Sequence, residues 1–390
     1  MLRLMFLLIL EKLMELDPKE RQKLDEISKF ARSEIREEAE MIDQDSRYPE
    51  KLIKKLVDIG LFGFYIPKEY GGFGFSLFSL MESIRIISRE CGSTALVPDV
   101  TVSLFGEPII RYGSDFLKKK YLHRIARGSI GALAITEPGA GSDAAGIKTQ
   151  ARRTDGGYIL NGTKTFITNG LQAEFFIVSA MTDSSKKHSG MTLFVVDRDT
   201  NGLSIGREFA KMGIRGTSTT EVILENVEVS DSQVLGQVNS GFRIEMETLD
   251  VGRIGIAAQA IGISEGALMD VLRYVRSTGS TLNEGYRFLL ADMVNQLHSS
   301  VTKFYQAVDQ VMEMKESTLS SSLSKLQAGD TAVSITEKAM EILGYNAFTS
   351  EYPVERRFRE AKITQIYEGT NEIQRVIISR EVLRNGLPEF

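Results

Sequence analysis

The hydrophobic period of this chain changes twice, and that pattern limits its fold more tightly than any motif does. Over residues 17–128 apolar positions recur at helical spacing. The first helix opens at Asp17-Pro18-Lys19-Glu20, where Asp can cap, Pro fits the first turn and Glu sits at the third helical position. Gly60, Gly92 and Gly128 read as helix stops, Ser114-Asp115 as a restart, and Pro67-Lys68-Glu69-Tyr70-Gly71-Gly72 as a surface loop. From Gly131 onward short β-branched and aromatic runs take over: Tyr158-Ile159-Leu160, Phe166-Ile167-Thr168, Phe175-Phe176-Ile177-Val178 and Leu193-Phe194-Val195-Val196. Asp155-Gly156-Gly157, Asn161-Gly162 and Asn169-Gly170 divide them as turns. Beyond Gly241 the helical period returns and holds to Arg384 in long segments with few breakers, as in a bundle. The expected fold is mainly α with a β insert: a helical domain over residues 1–130, a middle antiparallel β domain over 131–240 and a helical bundle over 241–390.

At 390 residues the chain exceeds what one hydrophobic core usually supports, so two or three packed subdomains with a ligand site between them are expected. No repeat, low-complexity tract or linker separates them. A net charge of −5 gives no reason to expect nucleic acid or an anionic membrane as a partner. The lone Cys91 rules out an internal disulfide framework, and with only 3 histidines no cluster has zinc-ligand spacing. Residues 2–10 form an apolar run that lacks a small-residue cleavage site and is too short to span a bilayer. That run reads as an N-terminal extension continuing as a helix, with translation starting at Met14, in an intracellular protein.

Three strings carry chemistry. Thr136-Glu137-Pro138-Gly139-Ala140-Gly141-Ser142-Asp143 is a small-residue loop that lets backbone amides approach a ligand while Thr and Ser hydroxyls bond to it. It has neither Walker nor Rossmann spacing, and alone it is no more than a turn. In Phe166-Ile167-Thr168-Asn169 strand alternation puts ring and hydroxyl on one face, where both could meet a planar ligand. In Tyr367-Glu368-Gly369-Thr370-Asn371, Gly369 breaks the preceding helix and Thr370 or Asn371 can cap the next. Glu368 is thereby set on a connecting loop at a helix N-terminus, positioned by backbone.

Taken in order, TEPGAGSD, FITNG, YPVER and IYEGTNEIQR resemble the acyl-CoA dehydrogenase family over roughly 250 residues. Met246-Glu247-Thr248-Leu249-Asp250-Val251-Gly252-Arg253 is similar to its short-chain, butyryl-type branch. The resemblance implies helical, β and four-helix-bundle domains in that order, a homotetramer in the cytoplasm, and a place in fatty acid β-oxidation. It implies FAD between the β domain and the bundle, an acyl-CoA substrate and an electron-transfer flavoprotein as electron acceptor. Glu368 matches the base that takes the substrate α-proton while the flavin takes the β-hydride, and its N–H matches a donor to the thioester oxygen. Leu133, Ile135, Thr136, Gly141, Ser142, Phe166, Ile167, Thr168, Glu341, Gly344, Gly369, Thr370 and Asn371 match flavin contacts. Ser142, Asp250, Arg253, Tyr367 and Gly369 match acyl-CoA contacts. Some relatives carry the base just before the arginine matched by Arg253; here that residue is Gly252, which leaves Glu368.

The sequence departs from the family on one side of the cofactor. Phe166 stands where a tryptophan is usual, a smaller ring that can still stack. The Arg-x-Gln-Phe-Gly string that holds the FAD pyrophosphate is replaced by Ser277-Thr278-Gly279-Ser280-Thr281-Leu282-Asn283-Glu284-Gly285, about five residues short. A Gln-x-x-Gly-Gly-x-Gly loop that touches a neighbouring subunit's FAD reads Glu341-Ile342-Leu343-Gly344-Tyr345-Asn346-Ala347. Weaker or differently anchored FAD is expected. Two other classes remain open on the sequence: an oxidase that passes electrons to oxygen, and an acyl-CoA-binding protein of the same fold lacking FAD.

Overall fold

A computed structural model of the chain describes residues 16–279, 281–313 and 317–386. The apolar run at residues 2–10, the start proposed at Met14, and Ser280 lie outside them. Among the described residues eight helices come first: α1 (Pro18–Phe30), α2 (Arg36–Gln44), α3 (Glu50–Ile59), α4 (Leu77–Ser88), α5 (Gly92–Asp99), α6 (Glu107–Tyr112), α7 (Asp115–Leu117) and α8 (His123–Ala126). Wider π-helical turns continue three of them, including Val100–Gly106 after α5. Asp17 caps α1, its carboxylate accepting from the Lys19 N–H at 2.8 Å, with Pro18 in the first turn. Glu20 does not close that cap. It is buried and accepts from the Ser76 N–H at 2.9 Å and from the hydroxyls of Ser76 and Ser79, tying α1 to α4.

Gly60 ends α3, but Gly92 begins α5 instead of ending a helix. A Cβ there would meet Ile214 Cδ1 at 2.7 Å, a close approach of the helix start to the loop that carries Ile214, which spacing alone does not reveal.

Eight strands follow: β1 (Gly131–Ala134), β2 (Gln150–Thr154), β3 (Gly157–Thr168), β4 (Phe175–Met181), β5 (Met191–Asp197), β6 (Leu203–Glu208), β7 (Thr219–Ser230) and β8 (Val234–Leu235). They form one sheet in the order β6-β7-β3-β2-β4-β5-β8, with β1 on β4. Most pairs are antiparallel, as expected. The exceptions are β1 with β4, and β2 with β4 at Gln150 and Met181, which run parallel. The chain runs through the loop after β1, β2 and β3 before β4 arrives beside β1, in the same direction, with Leu133 paired to Ile177.

The bundle comprises α9 (Gly241–Thr278), α10 (Glu284–Met312), α11 (Thr318–Leu343), α12 (Val354–Ile363) and α13 (Asn371–Asn385). Helix α9 is long and apolar enough to cross a membrane, but 94% of its apolar window is buried within the fold, so it is the bundle's core helix. Arg357 of α12 donates to Asp270 of α9 at 2.6 Å, and Arg85 of α4 pairs with Glu265 of α9. One apolar core runs from the first helices past one face of the sheet into the bundle. A second, including Leu160, Phe176, Phe194 and Val222, covers the other face.

Candidate active site

Glu368 lies in the turn between α12 and α13. The turn is fixed from both ends: α12 stops at Ile363, and Thr370 caps α13, its hydroxyl accepting from the Ile373 N–H at 3.2 Å. Gly369 has φ 82 and Glu368 itself φ 50, uncommon for a residue with a side chain and sustained only where the surroundings determine it. Those surroundings are specific. Lys325 of α11 donates to the Gly369 carbonyl at 2.7 Å and to Asn371 Oδ1 at 3.0 Å. Gln374 Nε2 donates to the carbonyls of Glu368 and Gly369 at 3.2 and 3.0 Å.

The carboxyl of Glu368 points inward. Its Oε2 is buried and has no hydrogen-bond partner, and its backbone N–H donates to nothing among the described residues. It rests against Gly252 of α9, where a Cβ would stand 2.8 Å from Oε2 and 2.6 Å from Leu104 Cδ2. Burial pushes the Glu368 pKa up to about 7, against the nearby charges of Arg253 and Lys325, which favour the ionised form. Desolvation thus outweighs every charge that opposes it. Burial also lowers Lys325 to about 7 and raises two further acids, Asp99 to about 7 and Glu245 to about 8, with the charge of Glu368 adding to both of these.

The loop after β1 and the end of β3 form one braced wall of the β domain. The side chain of Lys164 is wholly buried and donates to the Ile135 carbonyl at 2.9 Å, Glu137 Oε1 at 2.8 Å and Ser179 Oγ at 3.1 Å. Glu137 in turn accepts from the N–H groups of Lys148 and Thr149. The Thr165 N–H donates to the Thr136 carbonyl at 2.8 Å, so the first two sequence strings are one piece of structure. A bulge in β3 between Lys164 and Ile167 puts Phe166 at φ 57, with its ring 60% exposed and 4.7 Å from that of Phe209. Ile167 points into the sheet core, so only its backbone is available to a ligand, whereas Phe166 and Thr168 do not point inward. Leu133 and Ile135 are half-buried; Gly141 and Ser142 are exposed.

A small apolar cluster joins this wall to the base. It contains Leu96, Val100, Leu104, Ile214 and Ile256, with Leu133, Ile363 and Tyr367 packed against it. The Tyr367 hydroxyl donates to Gln259. Asp250 and Arg253 are buried and ion-paired with one another. Asp250 also accepts from Thr318 Oγ1 at 2.7 Å, while Arg253 Nε is left without a partner. Glu341 and Gly344 do not join the base: they lie at the far end of α11, about 24 Å along the helix axis from Lys325. Sequence reasoning missed Lys325, Gln374, Asp99 and Glu245. Gln374 lies inside the IYEGTNEIQR string without a role assigned to it there; no motif marks the other three, and only the fold brings them to Glu368.

Family models match the whole succession of regions: the acyl-CoA dehydrogenase N-terminal domain over residues 17–129, the middle domain over 132–227 and the C-terminal domain over 239–383. This chain belongs to the acyl-CoA dehydrogenase family. It is 40% identical over 360 residues to an acyl-CoA dehydrogenase of Bacillus subtilis, covering 91% of this chain and 95% of that one. It is 38% identical over 364 residues to the short-chain specific acyl-CoA dehydrogenase of Clostridium acetobutylicum, covering 92% and 96%. The butyryl-CoA dehydrogenase structure from Megasphaera elsdenii superposes with a TM-score of 0.91 at 36% identity, covering 95% of this chain and 99% of that one. As a member of this family the chain is an oxidoreductase of a flavoprotein class.

Proposed function

We propose that the chain performs flavin-dependent α,β-dehydrogenation of an acyl-CoA thioester to the trans-2-enoyl-CoA, with Glu368 as the base. The observation that carries this is a buried carboxylate oxygen, unpartnered among the described residues and held by a clamped turn, beside an apolar cluster that Leu133 of the β domain packs against. The residues present fit the reactive part of FAD. Thr168 and the exposed Phe166 ring offer a hydroxyl and an aromatic face, and the loop after β1 offers backbone and the Thr136 and Ser142 hydroxyls. FAD when bound supplies the acceptor for the β-hydride.

Glu368 holds its proton affinity near neutrality, so at pH 7 and above it is ionised often enough to act and basic enough to take a weakly acidic α-proton. The Glu368 N–H has no acceptor among the described residues, which suits it to bond the thioester oxygen as negative charge develops there. The apolar cluster around Tyr367 excludes water from the acyl chain. Lys325 and Gln374 act by positioning the turn.

The likeness to short-chain relatives supports a short acyl chain as substrate. A structure described as that of the electron transferring flavoprotein of Acidaminococcus fermentans superposes with a TM-score of 0.92 at 37% identity, which supports such a flavoprotein as the electron acceptor. A cytoplasmic homotetramer completes the reading. No observation favours the oxidase or the flavin-free alternative. The test is bleaching of the flavin by butyryl-CoA: Glu368→Gln should slow it by about 10²–10⁴-fold while the flavin stays bound. Unchanged bleaching would move the base elsewhere.

A further inference from the structure

Asp99 is a buried acid to which the chemistry above gives no task. It ends α5, and Leu96, Asp99, Val100, Ser103 and Leu104 recur at helical spacing along the wall whose apolar members form the cluster beside the base. It is 2% exposed, and Ser103 Oγ, donating at 2.8 Å, is its only hydrogen-bond partner among the described residues. No cationic side chain there pairs with it. The carboxyl is pressed onto Gly255 of α9, where a Cβ would meet Oδ2 at 2.7 Å and Cγ at 2.8 Å. Glu368 fills the same kind of notch at Gly252. Helix positions three apart have Cβ directions about 5–6 Å apart, so the two carboxyls stand side by side along one face of α9. A wall that only had to hold hydrocarbon would gain nothing from an acid there, because burying a carboxyl with one hydrogen bond and no ion pair is costly.

We propose that Asp99 determines substrate specificity by accepting a hydrogen bond from a hydroxyl on the acyl chain. The inference rests on the reading that Glu368 takes the α-proton. The two notches lie one helix turn apart, roughly 5–6 Å, so an acyl chain whose α-carbon meets Glu368 would bring a group three or four bonds further along level with Asp99. The preferred substrates are therefore short acyl-CoA thioesters hydroxylated at the fourth or fifth carbon.

The test compares kcat/KM for butyryl-, 4-hydroxybutyryl-, pentanoyl- and 5-hydroxypentanoyl-CoA in the flavin-loaded wild type, Asp99→Ala and Asp99→Asn. The wild type should prefer at least one hydroxyacyl thioester over its parent by about tenfold or more, since an acceptor left unbonded discriminates against the analogue that lacks the donor. Asp99→Ala should abolish that ratio, and Asp99→Asn, which keeps an acceptor oxygen, should retain part of it. A wild type that oxidises the plain chains as well as the hydroxylated ones overturns the proposal, whatever the folding of either variant. The same ratio in wild type and Asp99→Ala also overturns it. If no thioester of either kind reduces the flavin, the underlying dehydrogenase reading falls as well; if the plain chains are favoured, only this inference falls.

Discussion

Gly252 and Glu368 act as a pair, because a Cβ at 252 would crowd both Oε2 of the base and Leu104. Replacing Gly252 by Ala adds one methyl in a helix interior, where alanine is intrinsically favoured by up to about 1 kcal/mol over glycine. Folding should therefore survive while the carboxyl is displaced, and a displacement of about 1 Å can cost on the order of 10²-fold in rate. We expect Gly252→Ala to slow flavin reduction by about that factor, with little change in melting temperature. Reduction at the wild-type rate would show that the carboxyl is not confined by this notch. Glu368 could be found in the sequence because its neighbours are a local string. The cradle could not: Gly252 is legible as an absent base, but its role in making room for the present one is a contact across more than a hundred residues. Asp99 and Lys325 are invisible for the same reason, since nothing in their own flanking residues sets them apart from ordinary helix charges.

Helix α9 shows where element-level reading succeeds and where it stops. Its start near Gly241 is legible where the helical period returns, whereas its end at Thr278 comes from the structure. The sheet was legible in its strands but not in its pairing, because the parallel contact of β1 with β4 and the bulge at Phe166 depend on which strand arrives beside which. The sequence also conceals that α9 buries Glu245 with both carboxylate oxygens unpartnered. Burial raises its pKa to about 8, so between pH 4.5 and 8 the folded chain holds a proton that the unfolded chain releases. The unfolded state binds fewer protons over that window, and this residue's contribution to stability falls as pH rises through it. Glu245→Leu removes the penalty. It should stabilise the protein more at pH 8 than at pH 5, by a difference of about 3 kcal/mol. Melting curves at the two pH values measure this, and a gain that is equal at both would mean that Glu245 is solvated or paired in solution.

At the scale of the whole molecule, the two ends of the cofactor site are built to different standards. Around the reactive ring buried bonds tie the N-terminal helices to the sheet, Asn169 to Val97, and to the bundle, Gln259 to Gly92, while Lys164 to Ile135 and Lys325 to Gly369 brace the sheet and the bundle internally. At the other end the last hydroxyls of α9 offer little to a pyrophosphate. The hydroxyls of Ser277 and Thr278 donate to the Tyr274 carbonyl at 3.1 and 2.8 Å, so they serve their own helix end. The loop after α11 displays Tyr345 and Phe348, each more than 80% exposed, where close backbone approach to a cofactor would require small residues. A charge-assisted clamp is worth roughly 1.5–3 kcal/mol per bond, so its loss should weaken FAD by about 10–100-fold relative to a family member that retains it. The phosphate-bearing half should then matter less than usual. Titrating apoprotein with FAD and with FMN by flavin fluorescence should give dissociation constants within about tenfold of each other here. The Megasphaera elsdenii butyryl-CoA dehydrogenase measured alongside should favour FAD by a much wider margin. FAD that survives exhaustive dialysis with that relative's affinity would mean that other residues hold the pyrophosphate, and the basic side chains nearest the turn, such as Arg276 of α9, would be the first to substitute.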